Sequence, residues 1–224
     1  MKIEILTLFP EMFSPLFSGI LGDAVEKGIL EIHITNIRDY SLDKHKHVDD
    51  YPFGGGAGMV MAVEPIARAI EAVDPNHEYL RIFMSPRGKT FCQTDAEELS
   101  GVEKLLFLCG SYEGVDQRAI DMFIDREISI GDYVLTSGEL AVQVVVNATS
   151  RYVEGVLGSM ESLKEESFTS NLLEYPQYTR PQTFRGVSVP DVLVSGNHAE
   201  IDKWRRAQSL KITKEKRPDL LEKK

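Results

Sequence analysis

The sequence predicts an α/β fold built on a parallel β-sheet. Short apolar runs, which predict strands, alternate with helix-length segments through the first 150 residues. The strand segments are nearly continuous in apolar residues, as in Lys104–Cys109, and such runs are typical of parallel strands covered on both faces. Two capping-box patterns, Thr94–Glu97 and Thr136–Glu139, indicate the starts of helices. We therefore expect helices on both faces of one parallel sheet.

The predicted elements follow this alternation in order. Strands are predicted at Lys2–Phe9, Leu30–Ile37, Tyr79–Met84, Lys104–Cys109 and Glu127–Ile130. Helices are predicted at Met12–Lys27, Glu64–Val73, from the capping box at Thr94, at Val115–Phe123, and from the capping box at Thr136 to about Tyr152. A polar loop occupies residues 38–58, and the third strand is expected to end in the turn Ser85-Pro86-Arg87-Gly88.

The regular pattern ends after this α/β region. From Glu154 to Pro190 the sequence loses periodicity and contains Ser, Glu and Pro clusters, which predicts a long linker. Beyond it, Asn197 opens a predicted helix that carries Trp204, Arg205 and Arg206. We expect three regions: an α/β domain at 1–158, a linker at 159–190 and a small helical domain at 191–224.

Charge is distributed unevenly along the chain. The 224 residues carry a formal net charge of −10, which argues against a nonspecific nucleic-acid binder. Residues 200–224 hold nine Lys/Arg against five acids, so this segment is locally basic. Such a segment suits contact with a polyanion, and a solvated helix face is the alternative. The sequence has no signal peptide and no run of 18 apolar residues, which predicts a cytoplasmic protein.

The cysteines and the glycine-rich loop exclude several kinds of site. Cys92 and Cys109 are expected to be buried, reduced thiols. The run DYPFGGGAGM at 50–59 lacks the lysine and hydroxyl that close a phosphate-binding P-loop, and its glycines do not have the dinucleotide-binding spacing. His45 and His47 lie in a polar loop, where surface histidines are commoner than metal ligands. No metal site is predicted.

Ligands of parallel sheets bind beyond the carboxyl ends of the strands. Three predicted loops meet that condition, Ser85–Gly88, Cys109–Glu113 and Ser129–Gly138. They are rich in glycine and small residues and poor in ionised groups. This composition suits a small ligand held by backbone hydrogen bonds, such as an adenosine derivative, and does not suit a triphosphate.

Several long blocks of this chain resemble one known family. They include LTLFPEMF, DDYPFGGGAGM, CGSYEGVDQR, EISIGDYVLTSGEL, LLEYPQYTRP and NHAEIDKWRR, and they run in order from Met1 to about Glu222. In these blocks the sequence is similar to the bacterial tRNA (guanine-N1)-methyltransferases, a family of SPOUT methyltransferases. The resemblance implies an α/β domain with a deep trefoil knot, a small helical tRNA-binding domain, and a homodimer with its active site at the subunit interface.

The resemblance also implies a reaction and a cofactor site. Family members transfer the methyl group of S-adenosyl-L-methionine to N1 of guanosine 37 in tRNAs that carry guanosine at position 36. Magnesium has been linked to the family, although no ligand set is evident here. By resemblance, the cofactor contacts are Ser85, Pro86, Gly88, Gly110, Tyr112, Glu113, Ser129, Ile130, Gly131, Tyr133, Leu135 and Gly138. The segment 50–59 is similar to the one that borders the active site near the dimer interface.

The implied catalytic residues are Glu166 and Arg151. In the family, an Asp in an Asp-Ser-Phe motif is the general base, and Glu166-Ser167-Phe168 stands at that position here. The family's partner arginine corresponds to Arg151. A carboxylate can accept the N1 proton and an arginine can stabilise charge on O6.

This chain departs from the family pattern at several positions. Glu166 replaces Asp, and further departures occur at Ser111, Ser137, Ala141, Glu154, Ser170 and Asn171. One methylene added to a catalytic side chain can misplace its carboxylate. The alternative to an active enzyme is therefore a homologue that binds tRNA or the cofactor with weak or lost catalysis.

Overall fold

The computed structural model describes residues 1–159, 163 and 165–222. The chain divides into two compact units, 1–158 and 159–224, which are considered separately below. Residues 160–162 and 164 of the predicted linker, and Lys223 and Lys224 of the predicted C-terminal domain, lie outside the described residues. Within the described ranges, no helix combines the length and the apolar character needed to cross a membrane.

The first unit is built on a parallel sheet, as the sequence predicts. Its strands are β1 (Lys2–Thr7), β2 (Glu31–Asn36), β3 (Asp49–Asp50), β4 (Val60–Met61), β5 (Leu80–Thr90), β6 (Lys104–Leu108) and β7 (Arg126–Ser129). Five of them form one sheet in the order β2-β1-β6-β5-β7, and every pairing in it is parallel. The short strands β3 and β4 form a separate antiparallel pair.

Helices cover both faces of this sheet. They are α1 (Gly19–Glu26), α2 (Val63–Val73), α3 (Gln93–Ser100), α4 (Gln117–Phe123) and α5 (Glu139–Ser150). One buried cluster joins α1, α3 and α5 to Ile5 and Phe107, and a second joins α2 and α4 to Leu6 and Leu108. Neighbouring strand residues thus enter opposite cores, which explains why the strands are apolar throughout.

The predicted helix Met12–Lys27 is wrong as a single helix. A 3-10 helix occupies Pro10–Phe17, and α1 begins only at Gly19. Ser18 between them is extended and Gly19 has a φ of +58°, which breaks the helical path. Pro15 has no backbone N–H and would leave a hydrogen bond unmade inside an α-helix. This favours the 3-10 segment over one continuous α-helix.

Both predicted capping boxes are misplaced. The helix α3 begins one residue before Thr94, and its cap is Cys92, whose backbone N–H donates to the Asp95 carboxylate at 2.9 Å. The helix α5 begins after Gly138 without a side-chain cap, so Thr136 does not start it. Cys92 is exposed, which also corrects the expectation of two buried thiols.

The strand β5 does not end at Met84, as was expected, but continues to Thr90. Met84 and Lys89 both pair with Ile128, so residues 85–88 bulge out of the ladder and the strand then returns to it. A Cβ on Gly88 would lie 2.5 Å from the Ile128 nitrogen. The predicted turn is therefore a bulge within one strand, and the close return favours glycine at 88.

The second unit contains a hairpin and three helices within its described residues. These elements are β8 (Thr183–Phe184), β9 (Val187–Ser188), α6 (Asp191–Val194), α7 (His198–Lys216) and α8 (Asp219–Glu222). The side chain of Asn197 accepts a hydrogen bond from the Glu200 N–H at 3.4 Å, which confirms the predicted cap of α7. The hairpin lies inside the segment that was expected to lack regular structure.

A buried ion pair joins the end of α2 to β5 in the first unit. The Arg81 Nε lies 2.7 Å from the Asp74 carboxylate, and the side chains are only 7% and 1% exposed. Arg81 also donates to the Asp74 carbonyl, while the Asp74 carboxylate accepts from the Glu78 N–H at 2.7 Å. Removing one partner would leave the other charge buried and unpaired.

We predict that Asp74→Ala lowers the free energy of unfolding by about 3–5 kcal/mol, because Arg81 stays buried without its counter-charge. Urea unfolding followed by circular dichroism measures the change. Glu64→Ala is the matched control, since it removes the carboxylate of the exposed pair with Arg68; its expected effect is about 0.5 kcal/mol or less. Equal losses in the two variants would contradict the structural role of the buried pair.

Candidate active site

Three chain segments meet at one cavity in the first unit. The first is the part of β5 where its bulge begins, at residues 83–86. The second is the loop after β6, and the third runs from the end of β7 to the start of α5. The cavity has a volume of about 180 Å³. It lies beyond the carboxyl ends of adjacent parallel strands, where the sequence predicts a ligand site.

Eleven of the twelve predicted cofactor contacts line this cavity. They are Ser85, Pro86, Gly110, Tyr112, Glu113, Ser129, Ile130, Gly131, Tyr133, Leu135 and Gly138. Gly88 is not among the lining residues, because it lies where the bulge returns to β7. The ligand of this cavity, and the role of each residue toward it, remain predictions.

Part of the cavity wall lies outside the set of predicted cofactor contacts. These additional lining residues are Phe83, Met84, Ser111, Gly114, Ile128, Val134, Thr136, Ser137 and Ala141. Several are apolar strand or helix residues that pattern alone assigns to the core. Ser111, Val134, Thr136 and Ser137 lie inside the loops that the sequence predicts to hold a ligand, and that placement was the available signal for them.

The cavity depends on a close backbone approach between two of these segments. The Gly138 N–H donates to the Gly110 carbonyl at 2.8 Å. A Cβ on Gly138 would lie 3.0 Å from the Gly110 nitrogen and 3.1 Å from the Cα of Cys109. A side chain at 138 would therefore push α5 away from the loop after β6.

A tight turn after β7 shapes another part of the wall. The Ser129 hydroxyl donates to the Gly131 carbonyl at 3.0 Å and accepts from the Gly131 N–H at 3.2 Å. Gly131 has a φ of +148°, and a Cβ there would lie 2.6 Å from the Tyr133 ring. Glycine at 131 therefore lets the Tyr133 ring fold back over the turn.

The glycine-rich segment 50–59 contacts the loop after β6. The Glu113 N–H donates to the Met59 carbonyl at 3.0 Å, and a Cβ on Gly58 would lie 2.4 Å from the Glu113 Cγ. In the same loop Tyr112 has a φ of +59°, and its hydroxyl accepts a hydrogen bond from Arg38 at 3.2 Å. The end of the glycine-rich segment thus packs directly behind a cavity residue.

The charge of the cavity restricts its ligand. Among the described lining residues, Glu113 is the one charged side chain, and no lysine or arginine is present. A polyphosphate would need cationic groups or a metal ion to balance its charge. The wall instead offers hydroxyls, backbone groups and one carboxylate, which suits a neutral or cationic ligand of modest size.

A buried polar cluster lies beside the cavity. The Thr7 hydroxyl donates to Glu139 Oε1 at 2.6 Å, and Glu139 is fully buried at the first turn of α5. Burial raises the pKa of the Cys109 thiol well above its usual range, and the Glu139 carboxylate raises it further. Cys109 is therefore a neutral thiol that packs in the core and lacks the thiolate character of a nucleophile.

The two predicted catalytic residues lie in different units. Arg151 is the residue that ends α5 in the first unit, and it borders a surface depression with Leu140, Val144 and Asn147. Glu166 belongs to a loop of the second unit, where its carbonyl accepts the Thr169 N–H at 3.4 Å. Their catalytic roles remain predictions.

The histidine loop is organised by a carboxylate. The Asp43 carboxylate accepts the backbone N–H groups of His45 and His47 and contacts His47 Nδ1 at 2.8 Å. Hydrogen bonding from the His47 backbone is the main cause that lowers the pKa of Asp43. In the part of the chain that the structure describes, no group of three or more His, Cys, Asp or Glu is arranged to hold a metal ion.

We predict that Gly138→Ala lowers the free energy of unfolding by about 1–3 kcal/mol, because the new methyl group crowds backbone atoms of Cys109 and Gly110, which must shift by a few tenths of an ångström. Gly101→Ala is the matched control. A Cβ at Gly101 would have one ordinary contact at 3.5 Å, and that residue also has a negative φ. Thermal and urea unfolding would measure both variants, and an equally stable Gly138→Ala protein would contradict the close approach.

Comparisons with known proteins agree with the resemblance seen in the sequence. The model of the family described as tRNA (Guanine-1)-methyltransferase TrmD matches residues 1–223. A tRNA (guanine-N(1)-)-methyltransferase from Clostridium botulinum (strain Hall) is 58% identical over 223 residues, which cover 100% of this chain and 92% of the relative. One of the same name from Clostridium perfringens (strain SM101) is 59% identical, with 100% and 94% covered. The chain belongs to the tRNA (guanine-1)-methyltransferase TrmD family.

Proposed function

We propose that this protein is a tRNA (guanine(37)-N1)-methyltransferase. It transfers the methyl group of S-adenosyl-L-methionine to N1 of guanosine 37 in tRNAs that carry guanosine at position 36. The observation that carries the proposal is the convergence of the eleven predicted contact residues on one cavity, in a chain that matches the family along 223 residues. The names of its relatives support the same activity.

The chemistry of the cavity fits S-adenosyl-L-methionine. This cofactor carries a sulfonium cation, an adenosine and no phosphate. Glu113 supplies negative charge near the wall, and the hydroxyls and backbone groups of the three segments suit adenine and ribose. The glycines at 110, 131 and 138 favour close approach of backbone groups to a ligand. The cofactor supplies an electrophilic methyl group when it is bound.

We propose Glu166 as the general base. Guanine N1 carries a proton, and its lone pair can attack the methyl carbon only as that proton leaves. Glu166 accepts the proton, a bond forms between N1 and the methyl carbon, and the carbon–sulfur bond breaks with its electron pair going to sulfur. S-adenosylhomocysteine and the N1-methylated guanosine are the products.

Arg151 is the proposed partner of the base. Removal of the N1 proton places negative charge on the O6 of guanine, and a guanidinium donates hydrogen bonds to such an oxygen. We propose that Arg151 and Glu166 act on one guanine in a homodimer whose active site lies at the subunit interface.

The apolar face of α5 supports the homodimer. Leu140 and Val144 are 50% and 48% exposed, and with Asn147 and Arg151 they follow the spacing of one helix stripe. Two exposed aliphatic side chains next to each other on a helix suit contact with a second copy of the chain. Arg151, at the end of this stripe, would then lie at the interface, as the proposed active site requires.

We also propose the trefoil knot that the family resemblance implies. The segment after β7 begins at the edge of the sheet and returns to Gly110 at the end of β6, which lies two strands away. Since chains rarely thread, a knot would be an exception, and the proposal rests on the family resemblance together with this return past the end of β5.

The second unit is the proposed tRNA-binding part, with the linker at 159–190 and the small helical domain at 191–224. The basic excess of residues 200–224 and the cations along α7 support contact with the tRNA backbone. We expect the enzyme to act in the cytoplasm. A magnesium requirement has no support beyond the resemblance.

We predict methyl transfer from labelled cofactor to an unmodified tRNA transcript with guanosine at 36 and 37. Glu166→Gln removes the proton acceptor and should lower the rate by about 100-fold or more. A transcript with adenosine at 36 is the control for substrate choice and should accept little label.

Each outcome of this assay separates the alternatives. A dimeric wild-type protein that binds cofactor but transfers nothing would favour the binding homologue with lost catalysis. Full activity in Glu166→Gln would retain the enzyme and exclude Glu166 as its base.

We predict that Leu140→Glu shifts the protein from dimer to monomer in sedimentation velocity, because a carboxylate would be buried without a partner in the apolar contact. Met122→Glu is the matched control. Met122 is an exposed apolar residue of α4, 70% accessible and outside the α5 stripe, so this variant should remain dimeric. A dimeric Leu140→Glu protein would exclude the α5 face as the interface.

A further inference from the structure

The loop that carries Glu166 depends on contacts from outside itself. This loop, residues 165–175, lies wholly in the second unit, and residues 166–175 form no helix or strand. Its internal bonds include Phe168 N–H to the Leu172 carbonyl at 2.8 Å and Asn171 N–H to the Phe168 carbonyl at 3.2 Å. Phe168 and Asn171 have φ values of +79° and +56°, which non-glycine residues adopt at an energetic cost. Such a conformation persists where its surroundings hold it.

One contact joins the loop to the helix α7. The Leu173 N–H donates to the Thr213 hydroxyl at 2.8 Å, across 40 residues of sequence. The same hydroxyl donates to the Ser209 carbonyl one turn earlier at 2.7 Å. This second bond fixes the proton of the hydroxyl, so a lone pair of the oxygen faces Leu173. Thr213 has no exposed surface, and its hydroxyl makes both of these hydrogen bonds inside the protein.

A second contact joins the start and end of the loop to the same helix. The Arg205 guanidinium stacks 4.8 Å from the centre of the Tyr175 ring and lies 3.6 Å from the Glu165 carboxylate. The Tyr175 hydroxyl donates to that carboxylate at 2.5 Å. Residues on both sides of Glu166 are thus held against α7, at Arg205 and at Thr213.

We propose that Thr213 is a positioning residue for the methyl transfer. Its hydroxyl holds the backbone at Leu173 and thereby fixes the loop that presents the Glu166 carboxylate. This inference rests on the proposed function of Glu166 as the base. Arg205 is partly exposed and has charge that could act directly on RNA, whereas Thr213 is buried and can act on the reaction only through the loop.

The test compares two substitutions at 213 in the full-length protein. Thr213→Val keeps the shape of the side chain and removes the hydroxyl, while Thr213→Ser keeps the hydroxyl. Thr149→Val is the matched control, because the Thr149 hydroxyl is also fully buried but has no hydrogen-bond partner among the described residues. The readouts are the single-turnover rate of methyl transfer, the Kd of S-adenosyl-L-methionine, and amide hydrogen exchange over 165–175, α7 and β1.

We expect Thr213→Val to lower the single-turnover rate by about 10- to 100-fold, as a misplaced catalytic group does. Exchange over residues 165–175 should become faster, with the exchange of β1 and the Kd of the cofactor unchanged. Thr213→Ser should restore both the rate and the slow exchange, and Thr149→Val should behave as wild type.

Three results would overturn the positioning role. They are a wild-type rate in Thr213→Val, a slower rate with unchanged exchange over 165–175, and a Thr213→Ser protein as slow as Thr213→Val. If Thr213→Val also loosens α7, rescue by Thr213→Ser still tests whether the hydroxyl is responsible. An inactive wild-type protein would overturn the proposed function and with it the kinetic role of Thr213. Faster amide exchange over 165–175 in Thr213→Val than in Thr213→Ser would then still show that the Thr213 hydroxyl holds the loop.

Discussion

The backbone hydrogen bond between Gly138 and Gly110 is the constraint on which the candidate site depends. It brings the start of α5 against the loop after β6, although the intervening chain passes through the edge strand β7. A Cβ at 138 would lie 3.0 Å from the Gly110 nitrogen and 3.1 Å from the Cys109 Cα, so one of the two backbones would have to shift by a few tenths of an ångström. Both segments line the same cavity. The distance between the backbone of the loop after β6 and that of the start of α5 therefore sets the width of the cavity.

The two units contribute different chemistry to the proposed reaction. The cavity of the first unit has one charged lining residue, Glu113, and this arrangement suits a cationic methyl donor and disfavours phosphate groups. The second unit carries the basic helix α7 and the loop with Glu166.

The sheet and the position of the cavity could be predicted from the sequence, because parallel strands share the edge at which their loops meet. The family resemblance then supplied the predicted contact residues, of which eleven line this cavity. The bulge at 85–88 could not be predicted, since it depends on Met84 and Lys89 pairing with the same residue of another strand. The cap at Cys92 uses a residue type that rarely caps helices. The contact between Leu173 and Thr213 joins residues 40 positions apart, and no local pattern encodes it.

We propose that the cavity between the three segments binds S-adenosyl-L-methionine through backbone groups and one carboxylate. Calorimetric titration of the protein with this cofactor tests the proposal, and a parallel titration with ATP, which joins an adenosine to a polyanion, is the comparison. We predict saturable binding of one cofactor per chain and no measurable heat from ATP, because the described wall lacks cations. Comparable binding of both ligands, or no binding of the cofactor, would contradict it.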